Sequence, residues 1–198
     1  MVLTLLLFLG ACLLAFAVVV LRPVLASAHC DTMDGPAAQD GRLALESGNP
    51  NHALKWAGPE YETELREIFA QAQSARRQGR EAREVADRWF LENLVRIHRA
   101  GEGAPYTGLK PSGTAMDVKV SAADRCIETG TLEPLAALVP AGRLPELQER
   151  LATVLARKGY DVDDLEAGRA YIGAYVSFFK LAEGEEHEHH HAHAGHAH

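Results

Sequence analysis

The sequence predicts an all-α fold: a helical bundle built from two duplicated three-helix units and followed by a disordered His-rich tail. From Pro36 onward, apolar residues recur at the three- and four-residue spacing of amphipathic helices. No stretch alternates apolar and polar residues as a half-buried strand would. Several groups of residues also recur at a constant offset of 82, as from Leu45 to Ile127.

Composition narrows the class of protein. A chain of 198 residues, 47% of them hydrophobic, is long enough to bury one substantial core. The formal net charge is -7, which argues against nucleic acid as a partner because no basic stripe is available to replace phosphate counterions. Three cysteines are too few for a disulfide scaffold.

Residues 1–28 are predicted to be a signal peptide. Val2 to Leu21 is apolar, and Ala26-Ser27-Ala28 has the small-x-small pattern that signal peptidase accepts. Cleavage after Ala28 leaves a periplasmic or secreted protein that begins at His29. The alternative is an uncleaved membrane anchor, because the run is long enough to span a bilayer and no Lys or Arg precedes it.

A chain that begins at His29 carries a cluster of metal donors at its first two residues. The free amine, the imidazole, the next amide and the Cys30 thiolate lie within reach of one ion. We therefore predict a metal site here. The alternative is that Cys30 is a buried thiol, or that it forms a disulfide with Cys126 in an oxidising compartment.

This start resembles a known metal motif. His29-Cys30-Asp31, followed by Gly35, is similar to the hook of nickel superoxide dismutase, which reads His-Cys-Asp-x-x-Cys-Gly. The resemblance implies metal binding by the amine, amide, imidazole and thiolate of His29 and Cys30. It departs at Asp34, which stands where that family has its second thiolate.

The wider chain resembles a family of exported bacterial proteins known only as uncharacterised, so that likeness implies no activity. It rests on the start His-Cys-Asp-Thr-Met-Asp-Gly-Pro and on the stretch from Leu94 to Pro111. The predicted metal ligands of the domain, residues 29–184, are His29, Cys30, Asp31, Asp34 and His98. With one thiolate, an amine and imidazoles, copper is favoured and nickel comes next.

The first unit should contain a short, a medium and a long helix. Pro36 favours a first turn, and Gly48-Asn49-Pro50 ends that helix after about Ser47. The medium helix runs from Glu60 to about Arg77, with apolar positions Leu65, Ile68, Phe69 and Ala72. The long helix runs from Glu81 to Arg99, with apolar positions Val85, Trp89, Phe90, Leu94, Val95 and Ile97.

Residues 100–121 form a long connection, rich in Gly and Pro, that cannot be helical throughout. Loops of this length are usually functional or disordered. This one carries Tyr106, Leu109 and Met116, so we expect it to be ordered against the core. Arg96, Arg99 and Lys110 lie near it and could attract a small anion.

The offset of 82 defines two repeats, at about 37–102 and 119–184. It aligns Leu45-Glu46-Ser47-Gly48 with Ile127-Glu128-Thr129-Gly130 and Trp89 with Tyr171. It also aligns Ala44 with Cys126, which suggests a buried thiol. His98, at the end of the first long helix, corresponds to Lys180, so only the first repeat has a metal-capable side chain there.

The tail, residues 185–198, is of low complexity and cannot bury a core, so we expect it to be disordered without metal. Clustered imidazoles bind zinc, copper or nickel loosely at neutral pH. The predicted capture residues are His187, His189, His190, His191, His193, His196 and His198.

Two functions follow. One is a superoxide-dismutase-like enzyme with Cys30 and His29 at the metal, superoxide as its small-anion partner, and Tyr106 and Lys110 supplying protons. The other is a non-catalytic protein that buffers or delivers copper, nickel or zinc. A membrane partner requires an uncleaved leader, and a homo-oligomer is open.

Overall fold

The computed structural model describes residues 29–184. The predicted leader and the His-rich tail lie outside the described residues, and so do the predictions made for them. The described chain is all-α, as predicted. Its one β-type pairing is an isolated parallel bridge between Thr32 and Lys110.

The first unit contains four α-helices and two short 3-10 turns. The α-helices are α1 (Pro36–Ser47), α2 (Asn51–Leu54), α3 (Glu62–Ala75) and α4 (Arg80–Gly101). The 3-10 turns are Pro59–Tyr61 and Arg76–Gln78. Helices α1 and α3 both pack against the long helix α4.

The second unit repeats this order. Its elements are α5 (Val118–Thr129), α6 (Glu133–Ala136), a 3-10 turn at Ala141–Arg143, α7 (Leu144–Arg157) and α8 (Leu165–Glu183). Helices α5 and α7 both pack against α8. Both bounds of α5, α6 and α7 follow those of α1, α2 and α3 at the offset of 82, and α8 ends at that offset from the end of α4.

The two units also share contacts that end their first helices. Gly48 and Gly130 adopt left-handed conformations with φ of 75° and 74°, and each donates its N–H to the carbonyl four residues earlier. The guanidinium of Arg76 donates to the carbonyl of Leu45. At the corresponding positions, Lys158 Nζ donates to the Ile127 carbonyl at 3.2 Å.

The core contains the apolar positions predicted for the medium helix, since Leu65, Ile68, Phe69 and Ala72 are all buried. The long helix agrees with the prediction at its buried positions Phe90, Leu94, Val95 and Ile97 and differs from it nearer the start. Val85 is 71% exposed and Trp89 is 38% exposed. The buried stripe instead begins with Ala86 and Phe90, one residue later and so about 100° further around the helix.

Polar contacts join the two units across the bundle. Arg169 of α8 donates to the Ala57 carbonyl at 2.9 Å and to the Glu62 carboxylate at 2.8 Å. Lys180 Nζ lies 2.9 Å from Glu102 Oε1. Among the helices of residues 29–184, none has the length and apolar character needed to cross a bilayer.

Candidate metal centre

The segment before α1 makes a tight turn that leads the chain back against His29. The amide of Gly35 donates to the Thr32 carbonyl at 3.0 Å. A Cβ at residue 35 would overlap the carbonyl oxygen of His29. Glycine is therefore needed at this position for a close approach of two backbone segments.

Hydrogen bonds join residues 110–113 of the long loop to residues 31–34 of this segment. Lys110 N–H donates to the Asp31 carbonyl at 2.7 Å, and the Met33 N–H donates to the Lys110 carbonyl at 2.9 Å. The Asp34 carboxylate accepts from the Ser112 hydroxyl at 2.7 and 2.8 Å and from the Gly113 N–H at 2.7 Å. These hydrogen bonds, that of Ser112 foremost, lower the pKa of Asp34.

The His29 imidazole lies on the second unit and is only 8% exposed. Its ring stacks on Phe179 of α8, with centroids 5.1 Å apart and an interplanar angle of 10°. Nε2 lies 2.9 Å from the Tyr175 hydroxyl and 3.3 Å from Asp124 Oδ2. On the opposite edge, Nδ1 lies 3.2 Å from the thioether sulfur of Met116.

These contacts indicate the tautomer of His29. The Tyr175 hydroxyl donates its one proton to Asp124 Oδ1 at 3.1 Å. Burial and the Asp124 charge raise the pKa of Tyr175, so it keeps that proton. The tyrosine oxygen and the carboxylate are thus both acceptors for the Nε2–H of His29.

When the imidazole is neutral, its Nδ1 lone pair therefore faces the Met116 sulfur. Two electron-pair donors that face each other in this way suit a soft cation between them. Histidines that bind metals usually donate their other ring N–H to a carboxylate or a similar acceptor, as His29 does here. The geometry therefore matches that of an oriented metal ligand.

Cys30 follows as a half-buried residue that packs against the core, and its thiol is free. Burial raises the pKa of the Cys30 thiol, and the charges of Glu102 and Asp31 raise it further. The protonated thiol is a poor nucleophile. A soft metal ion that binds here must displace the thiol proton.

Beside Cys30 lies an ionic cluster in which buried Asp31, His98 and Arg99 meet the half-buried Glu102 and Lys180. The Arg99 guanidinium donates to Glu102 at 2.8 Å, and its Nε lies 3.7 Å from the Asp31 carboxylate. Asp31 is 1% exposed, and burial raises its pKa against the opposing effect of Arg99. Burial also works to raise the pKa of Glu102, but His98, Lys180 and Arg99 together lower it.

His98 belongs to this ionic cluster. Its Nδ1 lies 3.1 Å from the Trp56 carbonyl, and its Nε2 lies 3.6 Å from Glu102 Oε2. Burial lowers the pKa of His98, partly offset by Glu102. His98 and its counterpart Lys180 therefore meet at the same carboxylate from the two units.

The predicted ligands occupy different surroundings. His29 faces Met116, Asp34 faces the long loop, and Asp31 and His98 lie in the ionic cluster. Within residues 29–184, no three His, Cys, Asp or Glu side chains are grouped closely enough to hold a metal ion. The additional donor beside His29 is a methionine sulfur, which was not among the predicted ligands.

The long loop packs against the core through Tyr106 and Leu109, as expected, whereas Met116 is 41% exposed. Tyr106 packs there partly buried, and burial and the Glu92 charge raise its pKa. Lys110 is held by its backbone beside Asp31. Cys126 is fully buried and free, at the position that corresponds to the buried Ala44.

Comparison with known proteins gives one family. Residues 34–181 match the model of a family described as "Family of unknown function (DUF6448)". The match starts after His29 and Cys30, so it leaves the first five described residues outside. Searches of curated proteins and of solved structures gave no match.

Proposed function

The chain belongs to the DUF6448 family of unknown function, and we propose that it is an exported protein that binds copper(I) at its mature N-terminus. The proposed donors are His29 Nδ1, Cys30 Sγ and Met116 Sδ. Cleavage after Ala28 adds the free amine of His29.

The observation that carries this proposal is the 3.2 Å approach of His29 Nδ1 to Met116 Sδ. With metal–nitrogen and metal–sulfur bonds of about 2.0–2.3 Å, one ion can contact both atoms at roughly a right angle. Tyr175 and Asp124 support the same reading, because they hold the proton on the far nitrogen of the ring.

The donor types favour copper. An imidazole, a thioether and a thiol form a soft set that selects copper(I). In the nickel hook that the sequence resembles, a second thiolate completes the site, and here Asp34 binds Ser112 and Gly113 instead. The Met116 thioether would supply the second sulfur. Nickel is the next candidate, and zinc suits the imidazoles of the tail.

The test is copper(I) affinity of the mature protein, measured by competition with a colorimetric chelator. Met116→Leu keeps the side-chain volume and removes the sulfur, so we expect an affinity loss of about 10-fold or more. Met33→Leu is the control, because Met33 is the other methionine of residues 29–184 and is not a proposed donor. Equal affinities in the two variants would remove Met116 from the site.

The amine of His29 is free only if the leader is cleaved after Ala28. Intact-mass measurement of the exported protein should give a chain that begins at His29. A chain that still begins at Met1 would exclude the amine as a donor and leave the membrane-anchor alternative.

Superoxide dismutation is the second candidate. The observation in its favour is the pairing of Lys110 with Asp31 and Met33, which holds the predicted proton-donating loop along the site. Copper-loaded protein should then accelerate superoxide decay in stopped flow, and Cys30→Ser should abolish the effect. If the two proteins are equally slow, copper binding without catalysis is the function.

A further inference from the structure

Met116 connects the proposed copper site with the protein surface. The residue is 41% exposed, although its sulfur lies 3.2 Å from His29 Nδ1. His29 itself is only 8% exposed, and its ring stacks on Phe179. Among the proposed donors, the methionine sulfur is therefore the one that belongs to an exposed residue.

The other sulfur-containing residues of the described chain, residues 29–184, are less accessible. Met33 is half-buried and packs against the core. Cys30 is half-buried as well, and Cys126 is fully buried. Because the oxidation of sulfur follows its exposure, a soluble oxidant should react with Met116 before it reacts with these three residues.

Oxidation at this position need not disturb the helices. Met116 lies in irregular chain between the turn at 112–113 and the start of α5. The first turn of α5 has its own cap, since the Asp117 carboxylate accepts from the Lys119 N–H at 2.7 Å. The backbone hydrogen bonds that join the long loop to the segment before α1 are made by Lys110. An oxygen atom added to the Met116 sulfur would thus change the site and leave its scaffold in place.

We propose that Met116 is the residue at which hydrogen peroxide ends tight copper(I) binding, through conversion of the thioether to a sulfoxide. This inference rests on the proposed function. One oxygen atom passes from peroxide to sulfur: the S–O bond forms, the O–O bond breaks, and the departing hydroxide takes up a proton to become water. The sulfur loses two electrons and the peroxide gains them.

The oxidised side chain no longer suits the ion. A thioether is a soft donor that selects copper(I), whereas a sulfoxide presents a hard oxygen atom. His29 and Cys30 would then hold copper(I) without the second sulfur. Methionine sulfoxide reductases convert the sulfoxide back to the thioether, so the site can be restored once the oxidant is gone.

The first measurement does not depend on copper. Metal-free mature protein is treated with hydrogen peroxide in the presence of a metal chelator, and peptide mass spectrometry follows the sulfoxide at each methionine. We expect Met116 to be oxidised at least about 3-fold faster than Met33. Protein unfolded in urea is the control, in which the two rates should become equal because the difference arises from the fold. Equal rates in the folded protein would overturn the assignment of Met116 as the oxidation site.

The second measurement is copper(I) affinity after oxidation, determined by chelator competition. Peroxide is removed first, and the thiols are reduced again with dithiothreitol, which is then removed too. We expect an affinity loss of about 10-fold or more, as for Met116→Leu, and recovery on treatment with methionine sulfoxide reductases. Met33→Leu should lose affinity on oxidation as the wild type does, and Met116→Leu should show no further loss.

The untreated proteins separate the two ways in which this experiment can fail. If the untreated wild type binds copper(I) more tightly than Met116→Leu and oxidation leaves its affinity unchanged, the inference is wrong. If the untreated wild type and Met116→Leu bind copper(I) equally well, Met116 is not a donor and the donor set of the proposed function is wrong.

Discussion

The two units have the same helices but differ in the segments that precede them. At the offset of 82, Asp34 corresponds to Met116, the two residues that stand just before α1 and α5. Asp34 binds the loop of the second unit through Ser112 and Gly113, and Met116 contacts His29 of the first. Each segment thus reaches into the other unit, and at this pair of equivalent positions only the second unit has a sulfur.

The helices that contact His29 also differ from their counterparts in the first unit. The three residues that surround the imidazole have no chemical equivalents in the first unit: Asp124, Tyr175 and Phe179 correspond to Arg42, Asn93 and Ile97. A stacking ring and a tyrosine–carboxylate pair are therefore present only in the second unit. The duplicated scaffold therefore supplies the core, while a few residues outside the shared pattern surround the proposed site.

Loss of unfolding free energy in two buried leucine variants should be the greatest of the three effects, and it tests whether the two units form one cooperative core. Leu65 and Leu147 are equivalent and fully buried, so each change to Ala should cost about 2–5 kcal/mol of unfolding free energy. Both tryptophans, Trp56 and Trp89, lie in the first unit. Urea unfolding followed by tryptophan fluorescence and by far-ultraviolet circular dichroism should therefore give coincident transitions in both variants. Separate transitions in Leu147→Ala would show that the units unfold independently.

A smaller effect, on copper(I) affinity, tests whether Tyr175 of the second long helix orients His29. Tyr175→Phe removes the hydroxyl that accepts from His29 Nε2 and should weaken copper(I) binding by about 10-fold. Tyr171→Phe, one turn earlier on α8, is the control and should bind copper as the wild type does. The measurement is chelator competition, with circular dichroism to check the fold. If both variants bind equally well, the tyrosine does not orient the imidazole.

The smallest change in stability should come from the hydrogen bonds of Asp34 to Ser112 and Gly113. Its folded-state pKa is lowered by Ser112 and Gly113, so its contribution to stability is present above the unfolded-state pKa and is lost as pH falls through the folded pKa. Asp34→Asn should therefore be less stable than wild type at pH 7, and the difference should close as the pH falls below about 4 and through the lowered folded-state pKa. Urea midpoints across this range measure it. The control is Glu128→Gln, at an exposed position on α5, which should leave the dependence of stability on pH unchanged. If Glu128→Gln changes that dependence as Asp34→Asn does, the hydrogen bonds of Asp34 are not the cause.

Much of the fold could be predicted because it depends on local patterns. Helix periodicity, Gly48 and Gly130 as stop signals, and the offset of 82 are all visible in the chain itself. The exposed side of α4 could not be predicted, because Val85 and Trp89 are as apolar as the residues that are buried. Only packing decides which of two adjacent apolar stripes faces the core.

The candidate site could be predicted only in part. His29 and Cys30 stood out through their position behind a cleavage pattern. Met116 did not, because its contact with His29 joins residues 87 positions apart through a loop and a turn. One signal was present: the offset that defines the repeats aligns Met116 with Asp34, the position where the resembled motif has its second sulfur.

The contact between His29 and Tyr175 joins residues that lie 146 positions apart, close to the two ends of the described chain. A contact of such long range forms only after the intervening helices have closed the distance between its partners. The imidazole therefore acquires its orientation late in folding, when α8 has docked. A truncated or half-folded chain would present His29 without its acceptor, so copper bound at the proposed site would report that α8 has docked.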